Sequence, residues 1–484
     1  MRKCQAAIGA RTQIRLALCL VLGLAAWAVT ARAEEIPHGE VVPRVACVNE
    51  PVQTYALYLP SSYDPAKKWP ALYAFEPMAR GTLPVDLFRE AAEKYGYIII
   101  ASNNSRNGPI VVSLEAMQAI WTDSRQRFSI DDKRIYSTGF SGGARVATRF
   151  GLSLSGRVRG VIPGGAGLPL DVEVASPPTF TLYAIVGIRD FNYGEMKELD
   201  RRFASWGLPH VLEITEQEHA WMSKESCTRA IEWMELQAIK AGARSRDDAL
   251  LDALLAARLG RAREFEQAGK IAEAYHIYQS ARGDFQGVRD VSQVDVRLNE
   301  MQASADLRNA LTKEKEREAF RERLDREYSN KLAAVLANIS ASNTETAALH
   351  LSIAELDVSS VRRQAESSKD EDRRIVAERL LQRIMVGGFE GAMMYLQQKK
   401  TAQALASLEL AALARPESPG VHFFLARLMA LNHEKARALR TLAKAVDLGF
   451  ANAGEIEKEP AFDSLRDDPL YAETLARIRA HSSP

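Results

Sequence analysis

The stretch RIYSTGFSGGARVA, residues Arg134–Ala147, carries an apolar strand-like run straight into a helix-like one, with a serine among small residues at the junction. Gly139-Phe140-Ser141-Gly142-Gly143 is a Gly-x-Ser-x-Gly pattern. A sharp strand-to-helix turn forces its central residue into an unfavourable backbone conformation, so its neighbours must lack a Cβ to avoid collisions. The turn would present the hydroxyl at the carboxyl end of a sheet and at a helix N-terminus, where backbone N–H groups can stabilise an oxyanion. Ser141 is therefore the candidate nucleophile. A tight turn without chemistry is the alternative.

A serine hydroxyl needs a base to take its proton, and the base needs an acid to orient it. In the topology of a nucleophile elbow the partners should follow in the order serine, acid, histidine, each just after a later strand. Two histidines lie downstream before the composition changes, His210 and His219. His210 opens the strand-like HVLEIT, whereas His219 follows it in EQEHAWM, a loop before a helix-like run, and is the candidate base. The run FTLYAIVG ends at Gly187, which makes Asp190 a loop carboxylate just past a buried strand and the candidate acid. Asp171 and Asp200 compete for that role. The first follows a poorer strand and the second lies inside a helix-like segment.

Up to about Lys240 short strand-like runs alternate with amphipathic ones, which predicts an α/β domain with a mostly parallel sheet covered on both faces. Beyond Ser245 the strand signals stop and Ala, Leu, Glu, Arg and Lys dominate, with AGARSRDD (241–248) as a linker. In this all-α part Ala404, Leu408 and Ala411 return 34 residues later as Ala438, Leu442 and Ala445. Ala262, Phe265, Ala274, Tyr278 and Ala281 form an earlier copy, and Gly388 and Gly391 stand where a repeat would carry apolar residues. The segment 313–332 reads as a solvated helix with a narrow stripe of Phe320, Leu324 and Tyr328. SASNTETAALH and VSSVRRQAESSKDED read as loops or frayed helix ends.

The bulk composition narrows the choices. A net charge of +1 makes no case for nucleic acid or an anionic membrane as partner. Four basic residues, an apolar run from Leu16 to Val29 and the small-x-small Ala31/Ala33 pair describe a cleaved secretory signal over 1–33. The run is too short for a span of roughly 20 residues, so no membrane span is expected after cleavage. The expected product is exported, periplasmic or extracellular, with a sheet domain over 34–244 and a helical domain over 245–484. Cleavage leaves Cys47 and Cys227, a candidate disulfide, with two separately buried thiols as the alternative. HExxH, CxxC, GxxxxGK and GxGxxG patterns are all missing, so no metal and no cofactor is expected.

FSIDDKRIYSTGFSGGARVA, GIRDFNYGEM and EQEHAWM resemble the α/β-hydrolase superfamily, near its extracellular esterases of the polyhydroxyalkanoate-depolymerase and feruloyl-esterase type. In that group an Asp-x-x-Arg-Ile/Val-Tyr strand enters the elbow and Trp closely follows the histidine, as Trp221 does here. The resemblance covers about 45–240 and implies a Ser141–Asp190–His219 triad acting on an ester through an acyl-enzyme. It also implies an oxyanion hole at Gly142 and Met78, because Pro77 has no N–H. One departure stands out: Glu76 replaces the usual His-Gly start and could bring a carboxylate to a site for negative charge. The 34-residue period resembles the tetratricopeptide repeat, which implies a groove for a protein or peptide partner. A serine peptidase of the same fold, or a binding scaffold with an inactive hydrolase part, are the rival readings.

Overall fold

A computed structural model of the chain describes residues 36–341, 354 and 356–481. The segment expected as a secretory signal, with Cys4 and Cys19, lies outside the described residues. So does most of 340–350.

Eight strands form one sheet: β1 (Val41–Ala46), β2 (Thr54–Tyr58), β3 (Trp69–Phe75), β4 (Ile98–Ser102), β5 (Ile130–Phe140), β6 (Val158–Gly164), β7 (Thr181–Gly187) and β8 (His210–Thr215). Their order is β1-β2-β4-β3-β5-β6-β7-β8. Only β2 runs against its neighbours; β4, β3, β5, β6, β7 and β8 pair in parallel. Parallel strands need crossovers, and the helices that supply them are α1 (Thr82–Tyr95), α2 (Ile110–Arg127), α3 (Gly142–Ser153) and α4 (Tyr193–Ser205), while α5 (Lys224–Lys240) follows the last strand and packs back on the sheet.

Alternation along each strand sorts the two faces. Ala71, Tyr73, Phe75, Ile98 and Ile100 point to the core under α2, α3 and α4. Leu72, Ala74, Ile99 and Ala101 point to the core under α1 and α5. With both faces covered, IIIA in β4 is an unbroken, fully buried apolar run. The same geometry corrects the disulfide expectation. Cys47 belongs to the first core and Cys227 to the second, so the sheet stands between them and both are free, buried thiols. Burial, with Asp123 and Glu50 adding, pushes the Cys47 thiol up to about 12.

The rest is helical: α6 (Asp248–Gln267), α7 (Ile271–Phe285), α8 (Ser292–Ala303), α9 (Ala305–Ala341), α10 (Val358–Ser367), α11 (Glu371–Gln397), α12 (Thr401–Ala414), α13 (Pro419–Leu431), α14 (Lys435–Asp447), α15 (Ala453–Lys458), a 3₁₀ turn (Pro460–Leu465) and α16 (Pro469–His481). Leu236 and Ile239 at the end of α5 continue into a core with α6, α7, α8 and the start of α9. A second core runs from Leu324 to Ile478. The 37-residue α9, about 55 Å long at 1.5 Å per residue, joins the two.

The residues that recur 34 positions apart, Ala404, Leu408 and Ala411 of α12 and Ala438, Leu442 and Ala445 of α14, are all buried in one core. Gly388 lies where α11 crosses α12 so closely that a Cβ would sit 2.5 Å from the Ser407 carbonyl oxygen. On α9 the segment 313–332 is mostly exposed or half-buried and its narrow stripe is the packed edge: Leu324 and Tyr328 are buried, and Tyr328 Oη donates to Gln364 of α10 at 3.0 Å. One expectation changes. VSSVRRQAESSKDED holds a real helix, α10, capped by the Asp357 side chain on the Ser360 N–H and anchored by buried Val358 and Val361. No described helix is long and apolar enough to cross a membrane.

Candidate active site

The turn from β5 into α3 holds Ser141 at φ 52° and ψ −123°, a region that a side-chain-bearing residue adopts only when its surroundings compel it. The surroundings do. A Cβ on Gly139 would lie 2.3 Å from the Gly143 carbonyl oxygen, and one on Gly143 would lie 2.1 Å from that of Phe75. Only glycine permits this packing, and it sets the half-buried Ser141 hydroxyl above the carboxyl ends of the parallel strands.

His219 lies in the loop after β8 and Asp190 in the turn after β7. The structure brings both to Ser141. His219 Nε2 is 2.9 Å from Ser141 Oγ, and His219 Nδ1 is 2.8 Å from Asp190 Oδ2. An Nδ1–H donated to Asp190 leaves Nε2 as the acceptor for the serine proton. The carboxylate is 1% exposed, and its other oxygen accepts the Asn192 N–H at 2.8 Å. Phe140 and Phe191 flank the imidazole with ring centres 4.5 and 4.3 Å away. Backbone bonds from Ile188 to Thr215 (2.7 Å) and from Arg189 to Gln217 (3.1 Å) tie the acid loop to the histidine loop. The competitors are engaged elsewhere: Asp171 with Arg149, and Asp200 with His210.

Oxyanion donors are less simple. Gly142 begins α3, and first-turn N–H groups have no partner within their own helix. Met78 N–H, however, is donated to Glu76 Oε2 at 2.6 Å. Glu76 is fully buried and also accepts from the Arg80 N–H at 3.1 Å and from its guanidinium at 3.1 and 2.5 Å. Its carboxylate is turned onto Arg80. Burial alone would raise its pKa, but the bonds from Arg80 and Met78 outweigh burial and hold it below the usual carboxylate range. A depressed carboxyl adds stability above its unfolded pKa, and that stability goes as pH falls through the folded value. Glu76→Gln is therefore expected to cost about 1 kcal/mol at neutral pH, the low end because Arg80 is half-exposed. In urea melts across pH the gap to the unaltered protein should close on acidification below about pH 4. A gap constant to about pH 2 would assign the loss to shape rather than charge.

Sequence reasoning missed that the helical half reaches these loops. On α11, Arg379 is 1% exposed and its Nε donates to the Ile188 carbonyl at 2.7 Å. Its Nη1 bonds Asp325 at 2.7 Å, and its guanidinium lies 3.8 Å from the centre of the Tyr193 ring. Arg383 donates to the Phe191 carbonyl at 2.7 Å, Gln382 to Glu218 at 3.0 Å, and Glu378 pairs with Arg189 at 3.0 Å. The acid loop and the residue before His219 are thus gripped from α11. The available signal was a pair of arginines four apart inside the apolar run of ERLLQRIM.

Among the described residues no group of three His, Cys, Asp or Glu could hold a metal. A cavity of about 590 Å³ lies between β8, α5 and the α6–α7 pair. Its Ser280 accepts from Arg258 at 2.9 Å and donates to Asp284 at 3.5 Å, and Arg258 also holds that carboxylate at 3.1 Å.

No protein-family model matches the chain, and no curated protein does. Several solved structures are similar to it. The substrate-bound fluorophosphonate-binding serine hydrolase F of Staphylococcus aureus is 14% identical, over 38% of this chain and 92% of its own, with a TM-score of 0.31. The esterase of the archaeon Pyrobaculum calidifontis is 13% identical over 41% and 86%, at 0.33. A feruloyl esterase module from Clostridium thermocellum is 14% identical over 40% and 85%, at 0.33.

Proposed function

We propose that the chain is an exported serine hydrolase that cleaves carboxylic esters through an acyl-enzyme. One observation carries this reading: a serine in a compelled backbone conformation, 2.9 Å from an imidazole whose other nitrogen meets a buried carboxylate at 2.8 Å. Ser141 Oγ attacks the carbonyl carbon as its proton passes to His219 Nε2. The tetrahedral intermediate collapses, the C–O bond to the alcohol breaks, and the alkoxide leaves with that proton. Water, deprotonated by His219, then releases the acid and restores Ser141. Asp190 keeps the proton on Nδ1 and stabilises the imidazolium.

Gly142 N–H is the first oxyanion donor. Met78 N–H joins it only on leaving Glu76. A hole with one donor engaged elsewhere favours the easier leaving group, an alcohol over an amine, which argues for the esterase above the peptidase. The helical half, with its 34-residue register, is read as a tetratricopeptide-like array with room for a protein or peptide partner.

The test is a fluorophosphonate probe on the folded mature protein, with the adduct located by peptide mass spectrometry. A mass shift on the peptide carrying Ser141 is the expected result. A folded protein that takes no adduct there would overturn the hydrolase reading.

A further inference from the structure

We propose that Glu390, carried by the helical half, is the specificity residue of the Ser141 site and receives a cationic group of the substrate, an ammonium close to the scissile carbonyl. The proposal rests on the hydrolase reading and deepens it by naming the substrate class.

The register of α11 puts Glu390 there. Positions 379, 383 and 390 are separated by four, seven and eleven residues, so all three lie on one face of the helix. Arg379 and Arg383 bind that face to the carbonyls of Ile188 and Phe191, on either side of Asp190. Eleven residues on from Arg379, about 16 Å along the axis, the same face delivers Glu390 towards the elbow. There Glu390 Oε1 is 3.5 Å from Asn107 Nδ2, a long contact. Asn107 is pinned by its own N–H on the Pro77 carbonyl at 2.8 Å. Its amide lies directly on Gly142, where a Cβ would meet Asn107 Oδ1 at 1.8 Å. A carboxylate from one half of the chain therefore touches the side chain that covers Gly142, the residue after the nucleophile of the other.

Its carboxylate is held in no ion pair among the described residues. The other carboxylates around the site are paired: Glu76 with Arg80, Glu378 with Arg189, Glu218 with Arg415, and Glu195 with Arg145. Among the described residues no Lys or Arg forms an ion pair with Glu390. Arg145 and His219 are the positive or protonatable groups that face it, but Arg145 already holds both oxygens of Glu195, at 2.7 and 2.8 Å. The surrounding protein raises the Glu390 carboxyl above its ordinary range, with Arg145 and His219 pulling the other way. A lone negative charge beside the place where an oxyanion forms opposes the reaction of a neutral ester. The same charge favours an ester whose own cation sits against it, so the site discriminates by repulsion as well as attraction.

Isosteric esters test this, one member of each pair carrying a trimethylammonium or ammonium group where the other carries a neutral tert-butyl or methyl. One pair varies the alcohol and one the acyl group. In at least one pair the cationic member should have a kcat/KM about tenfold or more above its isostere at low salt. Glu390→Gln should bring that ratio to within about twofold of unity, and Glu390→Lys should invert it. Calorimetric titration of the same pairs into Ser141→Ala protein should show the same preference in Kd, whether or not the chain turns the ester over. Ratios near unity in the unaltered protein, or ratios that survive both Glu390 variants, would overturn the proposal. Failure of Ser141 to take the fluorophosphonate, with the binding preference intact, would instead count against the hydrolase reading and leave Glu390 as a cation site.

Discussion

Asp190→Asn is expected to lower kcat for ester hydrolysis about 10⁴-fold while leaving KM and the fold nearly unchanged. The carboxylate is buried, with one oxygen on the His219 ring and the other on the Asn192 N–H. An amide of the same shape can keep the second bond by presenting its carbonyl to Asn192. Its NH₂ group then faces Nδ1, which must become the acceptor, so the ring proton moves to Nε2. A protonated Nε2 cannot take the proton of Ser141 2.9 Å away. The loss arises from a wrong tautomer, so it should appear in kcat, with the melting temperature changed little. Steady-state kinetics of the purified variant decide the matter. A loss of less than about tenfold would remove Asp190 from the catalytic assignment.

Arg379→Ala is expected to lower kcat about 10- to 100-fold and to destabilise the protein by about 3 kcal/mol or more. The guanidinium is 1% exposed, so the substitution strips the Ile188 carbonyl and Asp325 of a buried partner and uncovers the Tyr193 ring. Ile188 begins the turn that carries Asp190, and a shift of about 1 Å there suffices for a hundredfold loss. A purely structural role would lower the melting temperature but leave the chemistry of the folded fraction alone. The discriminating readout is the rate at which the folded protein takes up fluorophosphonate on Ser141. It should fall with kcat, and Arg379→Lys should recover little because Lys lacks the planar fork. An unchanged labelling rate in a destabilised variant would reduce α11 to a docked neighbour.

Much of the sheet half was legible because its signals are local. The alternation of strands and helices, the glycines around Ser141 and the positions of Asp190 and His219 after their strands need only a few residues of context each. β1 was not anticipated: Pro43 and Arg44 break its pattern, and its register with β2 slips between Val42 and Val45. The fate of Met78 was hidden because it depends on where the Glu76 side chain turns. The separation of Cys47 from Cys227 depends on which face of the sheet each meets. Least legible was the grip of α11, since Arg379 and Ile188 are 191 positions apart. No period or motif records a bond of that span.

That grip also orders events in time. Ser141, Asp190 and His219 all emerge from the ribosome well before Arg379 and Arg383 do. At ordinary synthesis rates the interval is on the order of ten seconds. During it the acid turn has the β8 side to lean on but nothing from α11. The proposed triad is therefore the last part of the fold to be completed, held from β7 and β8 alone until the far end of the chain has been made and folded back.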